Sequence, residues 1–287
     1  MIHENILYGY DYDEINNILI GRDDIRDYGM FSSFTLMLGS LMVVYKNFGK
    51  VVEHIDGKNI LAKFKSEDNI DLYHKFFRID KDYQINLPRE FPVPFSPDDQ
   101  HTIYSEEYIN YYYPFIKKYF NFNSSILSKV EEIKQKYNID PDQFISVVFR
   151  DSDKWTDFGG FNYVSAGAYV RLTEKIKEQN PDLKILIQSE NPNVVTFFGY
   201  KGAISIEETM LDKSCQEYPP IKKNIEKRTE WVEYYIAALY VISQSKYVIT
   251  YTGNSAFFVY LFRGTTNNLY QEKTFLQDYN DFFVNNN

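Results

Sequence analysis

Between positions 28 and 49 apolar residues fall on successive helical turns, at Phe31, Phe34, Leu38, Leu41, Val44 and Tyr45, and this spacing predicts a buried helix. Gly49 follows as a residue able to take the left-handed conformation that closes a helix, and Ser32 or Ser33 is the expected N-cap. Lys50-Val51-Val52-Glu53 reads as a short strand, so the stretch is expected to form a loop, a helix and a strand. Pro88, Pro92, Pro94 and Pro97 exclude regular helix from 87 to 97 and predict a surface excursion. Helical spacing returns at Ile126, Val130, Ile133 and Tyr137, and Asn138 to Pro141 breaks it.

Beyond Asn138 the pattern becomes short apolar runs alternating with helical stretches. Phe144-Ile145-Ser146-Val147-Val148-Phe149 is suited to a buried strand, with further strands expected over 183–188, 203–206, 246–250 and 268–270. Helices are expected over 164–179, 191–198, 221–243 and 257–262. Strands alternating with helices predict an α/β fold with a doubly wound parallel sheet in the C-terminal half. The boundary expected near Asn138 divides the chain into an N-terminal α/β domain, 1–138, and a C-terminal Rossmann-like domain, 139–287. Ligands bind such sheets beyond the carboxyl ends of the strands, which narrows the search to 150–157, 189–191 and 251–255.

Composition removes several function classes. The 287 residues are 44% hydrophobic and 25% charged, as in a folded globular protein of two medium domains or one large one. A net charge of -9 leaves no broad basic face for a phosphate backbone, so nucleic acid is not expected as the main partner. The single cysteine, Cys215, excludes an intramolecular disulfide and a zinc site of paired cysteines, and points to a reducing compartment. Met1-Ile2-His3-Glu4 does not open a basic-then-apolar leader, and the most apolar stretch, 36–44, is too short to span a bilayer; a soluble, cytoplasmic protein is expected. His3, His54, His74 and His101 lack ligand spacing, and Cys215 has no nearby histidine, so neither a histidine metal site nor a catalytic thiol is expected. Asp11-Tyr12-Asp13 reads as a solvated turn. Tyr111-Tyr112-Tyr113 reads as part of a helix with two core tyrosines and one exposed, or as a stacking surface for acceptor sugars.

Two strand ends carry the candidate chemistry. Arg150-Asp151-Ser152-Asp153-Lys154-Trp155-Thr156-Asp157 places charge where an apolar strand opens into a cleft. An arginine there can grip a phosphate through two parallel N–H bonds, Asp153 can hold that arginine or Lys154, and Asp157 can serve as a general base. Asp151-Ser152-Asp153 also matches the D-x-D pattern by which nucleotide-sugar enzymes hold a divalent metal, and the whole run can equally be a solvated charged loop. The second strand end, Tyr251-Thr252-Gly253-Asn254-Ser255-Ala256, puts small and hydroxylated residues before an apolar helix. Backbone N–H groups at a helix start favour an anion such as a diphosphate. The alternative is an ordinary strand-to-helix turn capped by Asn254 or Ser255.

Three segments, in one order along the chain, resemble one family, and two shorter ones add to the likeness. Val148-Phe149-Arg150-Asp151-Ser152-Asp153-Lys154 is similar to the H-V-R-R-T-D-K motif of the fucosyltransferase superfamily that contains the α-1,6-, α-1,2- and protein O-fucosyltransferases. Leu186-Ile187-Gln188-Ser189-Glu190-Asn191-Pro192 resembles its second motif, a strand ending in a hydroxyl residue and acids. The stretch 238–255, with Ile242-Ser243-Gln244 before a strand and Thr252-Gly253-Asn254-Ser255 after it, resembles its third, L-S-Q followed by T-x-S-S. Gly29-Met30-Phe31-Ser32-Ser33 is similar to its N-terminal glycine-rich loop, and Arg263-Gly264 to its Y-x-x-R-G ending.

The resemblance implies a two-domain GT-B-like glycosyltransferase with two Rossmann-like domains, inverting at the anomeric carbon, with no required metal or cofactor. Its donor would be a GDP-sugar, GDP-fucose foremost, and its acceptor a glycan or glycoconjugate. Arg150 matches the family's arginine on the donor β-phosphate, and Asp153 and Lys154 match the acid and lysine of the first motif. Asp157 lies one position from the family's candidate base. Ser189, Glu190, Thr252, Gly253, Asn254 and Ser255, with Gly29 and Ser32, are the remaining donor-binding candidates. Val148 stands in place of the motif's histidine, Asp151 of its second arginine, and Ala238 of an acidic guanine reader. Two other readings stay open: a metal-dependent glycosyltransferase using Asp151 and Asp153, and a glycan-binding protein that kept the fold without turnover.

Overall fold

The computed structural model of the chain describes residues 1–7, 9–25, 29–67, 70–90, 104–150, 165–189, 191–209 and 228–272. The chain forms two compact units. One comprises Met1–Gln100, Ser105–Lys129 and Ile221–Glu233; the other comprises His101–Tyr104, Val130–Pro220 and Tyr234–Asn287.

The first unit is built on a four-stranded sheet in the order β1-β2-β3-β4. Strands β1 (Ile2–Leu7), β2 (Tyr10–Asp13) and β3 (Ile18–Gly21) are antiparallel, and β4 (His54–Asp56) lies parallel to β3. This mixed sheet, rather than a single loop-helix-strand unit, is the N-terminal scaffold. Asp11-Tyr12-Asp13 is therefore not a solvated turn: Tyr10 and Tyr12 point inward with no exposed surface, and the Tyr12 hydroxyl donates to Asn17 Oδ1 at 2.9 Å. The turn into β2 needs Gly9, whose φ of 81° is left-handed and whose Cβ would lie 1.8 Å from Ile25.

Helix α1 (Met30–Phe48) is buried along most of its length, with Phe34, Met37, Leu38 and Met42 at zero exposure. Gly49 closes it at φ 66°, its N–H donating to the Tyr45 carbonyl. The N-cap is Gly29, not Ser32 or Ser33; both serines lie inside the first turn, and Ser33 Oγ donates back to the Gly29 carbonyl at 3.2 Å. Nor is 50–53 a strand. The carbonyls of Val51 and Val52 accept from the side chains of Asn17 and Tyr119, and ladder pairing begins only at His54. The unit is completed by α2 (Leu72–Phe76), the short antiparallel pair β5 (Phe77–Arg78) and β6 (Asn121–Phe122), α3 (Glu106–Tyr119), and the start of α4 (Ser124–Tyr137). Of the three consecutive tyrosines in α3 only Tyr112 is buried; Tyr111 and Tyr113 are half-buried.

The second unit carries the doubly wound sheet. Strands β7 (Phe144–Phe149), β8 (Lys184–Ser189), β9 (Ile204–Ser205), β10 (Tyr247–Thr250) and β11 (Leu269–Gln271) are all parallel, in the order β11-β10-β7-β8-β9. The chain winds from central β7 out to β9, then returns to build β10 and β11 on the other side. The connecting helices are α5 (Ala166–Gln179), α6 (Pro192–Gly199), α7 (Arg228–Ser243) and α8 (Asn254–Arg263). On one sheet face Ile145, Val147, Phe149, Ile185, Ile187 and Ile249 pack with Tyr169, Val170 and Ile176 of α5 and Val194 and Phe198 of α6. On the other, Ser146 and Ser245 hydroxyls meet at 2.6 Å.

Two polar locks fasten this unit. The Arg263 guanidinium donates to the carbonyls of Ser243 (2.9 Å), Ser245 (2.6 Å), Lys246 (3.3 Å) and Asn267 (2.7 and 3.0 Å), tying the end of α8 to the end of α7 and the entry to β10; burial lowers its pKa. Glu208 accepts from Tyr137 at 2.8 Å and from Lys136 at 2.5 Å. Burial pushes the Glu208 carboxyl up, but the Lys136 and Tyr137 hydrogen bonds outweigh it and hold the group below its ordinary value of 4.5.

Arg263→Lys keeps the charge and loses the planar fork, so it is expected to cost about 2 to 4 kcal/mol of stability, measured by urea unfolding. A group with a depressed folded pKa stabilises above its unfolded value and loses that contribution as pH falls through the folded one. The urea midpoint of the parent is therefore expected to drop more steeply than that of Glu208→Gln between about pH 6 and about pH 3.

Candidate functional site

In a sheet of this order the winding reverses between β7 and β10, and doubly wound sheets bind ligands at that point, beyond the carboxyl ends of the strands. Arg150 is the first residue after β7, and its Nε is buried. By strand alternation it continues the face of Ser146 and Val148, opposite the α5–α6 side. Val148 pairs with Thr250, so Arg150 and Thr252 each lie two residues beyond the same rung on adjacent strands.

That rung carries three polar side chains and one valine across four strands. Gln188, Val148, Thr250 and Gln271 are aligned by the β8, β7, β10 and β11 pairings, and all are buried. Gln188 Oε1 accepts from Thr209 Oγ1 at 2.7 Å. Gln271 Oε1 accepts from the Tyr104 N–H at 2.9 Å, while its Nε2 donates to Thr252 Oγ1 at 3.3 Å. Thr250 Oγ1 is fully buried and has no hydrogen-bond partner among the described residues.

The turn out of β10 leads directly into α8. Tyr251, Thr252 and Ser255 are buried, and Gly253 is the N-cap, its carbonyl accepting from Phe257 N–H at 2.8 Å. No side chain caps the helix at this residue, so neither Asn254 nor Ser255 is the cap; they are its first two helical residues. The Thr252 N–H is not part of an anion cradle either: it donates to Glu272 Oε1 at 3.1 Å, and the amides that follow it at the helix start are those of Gly253, Asn254 and Ser255. Tyr104 packs beside them. Its ring stacks on Tyr260 at 4.7 Å, and burial, then the neighbouring Tyr251 and Glu272, push its hydroxyl well above the ordinary value, so it remains protonated.

At the end of β8, Ser189 is buried and its Oγ accepts from the Asn191 N–H at 3.1 Å; Asn191 in turn caps α6 through Asn193 N–H. Arg150, Ser189, Thr252, Gly253, Asn254 and Ser255 therefore share the carboxyl edge of one sheet. Asp151, Asp153, Lys154, Asp157, Glu190 and Cys215 lie outside the described residues. Gly29 and Ser32 stand at the start of α1 in the other unit, Gly29 exposed and Ser32 half-buried. Among the described residues no group of His, Cys, Asp and Glu is placed to hold a metal ion, and no helix is long and apolar enough to cross a membrane. Sequence reading missed Thr250, Gln271, Glu272 and Tyr104. The one available signal was the polar pair Gln271-Glu272 at the end of a short strand.

No protein-family model matches the chain, and no curated protein matches it by sequence. Among solved structures it is similar to the NodZ α-1,6-fucosyltransferase soaked with GDP-fucose, with a TM-score of 0.48 and 11% identity, covering 80% of this chain and 89% of that one. The fucosyltransferase NodZ from Bradyrhizobium gives a TM-score of 0.43 at 12% identity, over 75% of this chain and 83% of that one. NodZ co-crystallised with GDP gives 0.44 at 11%, over 76% and 84%.

A buried hydroxyl without a partner costs stability that a methyl group would not. Thr250→Val is expected to stabilise the ligand-free protein by about 1 kcal/mol in urea unfolding, and a loss of that size would show that the hydroxyl has a partner.

Proposed function

We propose that the chain is an inverting glycosyltransferase of the fucosyltransferase kind, moving a sugar from a GDP-sugar, GDP-fucose first among them, to a glycan or glycoconjugate acceptor. The observation that carries the reading is Arg150 at the end of the central strand, level with Thr252 and next to the reversal of the sheet. A fixed guanidinium on one strand and the amides of Gly253, Asn254 and Ser255 on the next are what a departing diphosphate requires.

In this reading the acceptor hydroxyl attacks the anomeric carbon from the face opposite the diphosphate. The bond from that carbon to the β-phosphate oxygen breaks, its electron pair leaves with the nucleotide, and the configuration inverts. Arg150 and the α8 amides offset the charge that grows on the phosphate, where a partly dry crevice strengthens them. Asp157 takes the acceptor proton, and Asp153 and Lys154 hold the arginine and the phosphate in register. Ser189 and Glu190 serve as donor-binding residues, as do Gly29 and Ser32 of the N-terminal part. The 139–287 part takes the donor and the 1–138 part the acceptor. No metal is required in this scheme.

Two experiments test it. In a thermal-shift panel of GDP, UDP, CMP and dTDP, only GDP is expected to stabilise, by about 2.7 kcal/mol at a hundred times its dissociation constant. No shift with any nucleotide favours a non-catalytic glycan binder. With a GDP-sugar donor, Arg150→Ala is expected to lose about a hundredfold or more in turnover while remaining folded, Arg150→Lys is expected not to recover it, and EDTA is expected to leave the parent's rate unchanged. Full loss on chelation, restored by manganese, would instead assign Asp151 and Asp153 to a metal.

A further inference from the structure

Glu272 directly follows β11 and is buried, with 8% of its surface exposed. A carboxylate so placed next to a candidate diphosphate site opposes an anion, so its presence calls for a reason of another kind. The hydrogen bonds supply one. Oε1 accepts the Thr252 N–H at 3.1 Å, Oε2 receives the Tyr169 hydroxyl at 3.5 Å, and the preceding residue, Gln271, holds Thr252 Oγ1 at 3.3 Å. Two consecutive residues thus grip the backbone and the side chain of Thr252, the last residue before the N-cap of α8. Gln271 is itself anchored by the Tyr104 N–H at 2.9 Å, and Tyr104 stacks on Tyr260 of the same helix. Through these contacts the turn is tied to the end of β11. The unpartnered, fully buried Thr250 Oγ1 lies just before the turn.

We propose that Glu272 is a positioning residue: its carboxylate fixes the Thr252 amide and so sets the direction in which the following amides of Gly253, Asn254 and Ser255 point. The role depends on the reach of the acceptor oxygen, not on its charge. This deepens the nucleotide-sugar reading, on which the anion at those amides rests.

Reach and charge separate in two conservative variants. Glu272→Asp keeps the charge and withdraws the oxygen by one methylene; Glu272→Gln keeps the oxygen in place and removes the charge. Both are compared with the parent by amide hydrogen exchange over 250–256, and by calorimetric titration of pyrophosphate and GDP well below the melting temperature. Glu272→Asp is expected to speed exchange at Thr252 and to weaken both ligands by about tenfold, with exchange over 258–263 unchanged, while Glu272→Gln stays within about threefold of the parent on both readouts. A purely structural residue would lower the melting temperature without moving affinity in the folded protein. Parent-like exchange at Thr252 in Glu272→Asp overturns the proposal, as does parent-like affinity there or a Glu272→Gln variant as impaired as Glu272→Asp. A parent that binds neither probe removes the nucleotide reading, and the exchange comparison alone then upholds or overturns the role of Glu272 in setting the turn.

Discussion

The parallel pairing of β7 with β10 is the constraint on which the second unit depends. It joins strands separated by about a hundred residues of chain, Ile145 opposite Tyr247 through Val148 opposite Thr250, and it is the seam where the winding reverses. Because side chains alternate along both strands, this register puts Ile249 into the apolar face with Val147 and Phe149, and Thr250 on the opposite face with Val148. A slip of one residue would exchange those faces and bring a hydroxyl into the α5–α6 core. The same register that completes the core therefore brings Arg150 level with Thr252.

Around that seam, polar groups divide into those that hold the scaffold and those at its open edge. Arg263 spends its guanidinium on carbonyls at helix and strand ends, and Glu208 takes up Tyr137 and Lys136. Arg263 thereby satisfies carbonyls that are partly withdrawn from water. At the edge the balance differs: Gln188 and Gln271 are engaged, whereas Thr250 Oγ1 is not. A buried hydroxyl left without a partner at a strand end is a departure from the satisfied scaffold around it.

Much of the second unit was legible because each element there carries its own period. The 144–149 run, the 126–137 helix and the hydroxyl-rich turn after Thr250 are local patterns, and ligand placement at the carboxyl ends follows from their alternation. The N-terminal sheet was hidden by composition: Tyr10-Asp11-Tyr12-Asp13 alternates with a strand's period, yet its acids suggest a solvated turn until the tyrosines are seen inside. The strand after α1 was displaced because Asn17 and Tyr119, far away in sequence, claim the carbonyls of Val51 and Val52. Glu272 and Tyr104 escaped for the same reason, since the partners that define them lie 20 and 167 residues away.

The two units are interleaved along the chain rather than placed end to end. The second claims Tyr104 before the first has received Ser105–Lys129, and the first is not complete until it has received its third segment, which ends at Glu233. No single cut in the chain yields either unit whole. A fragment beginning at 139 would lack Tyr104, leaving Tyr260 without the ring stacked on it and Gln271 without the N–H that anchors it. During synthesis neither unit has all of its segments until most of the polypeptide has emerged.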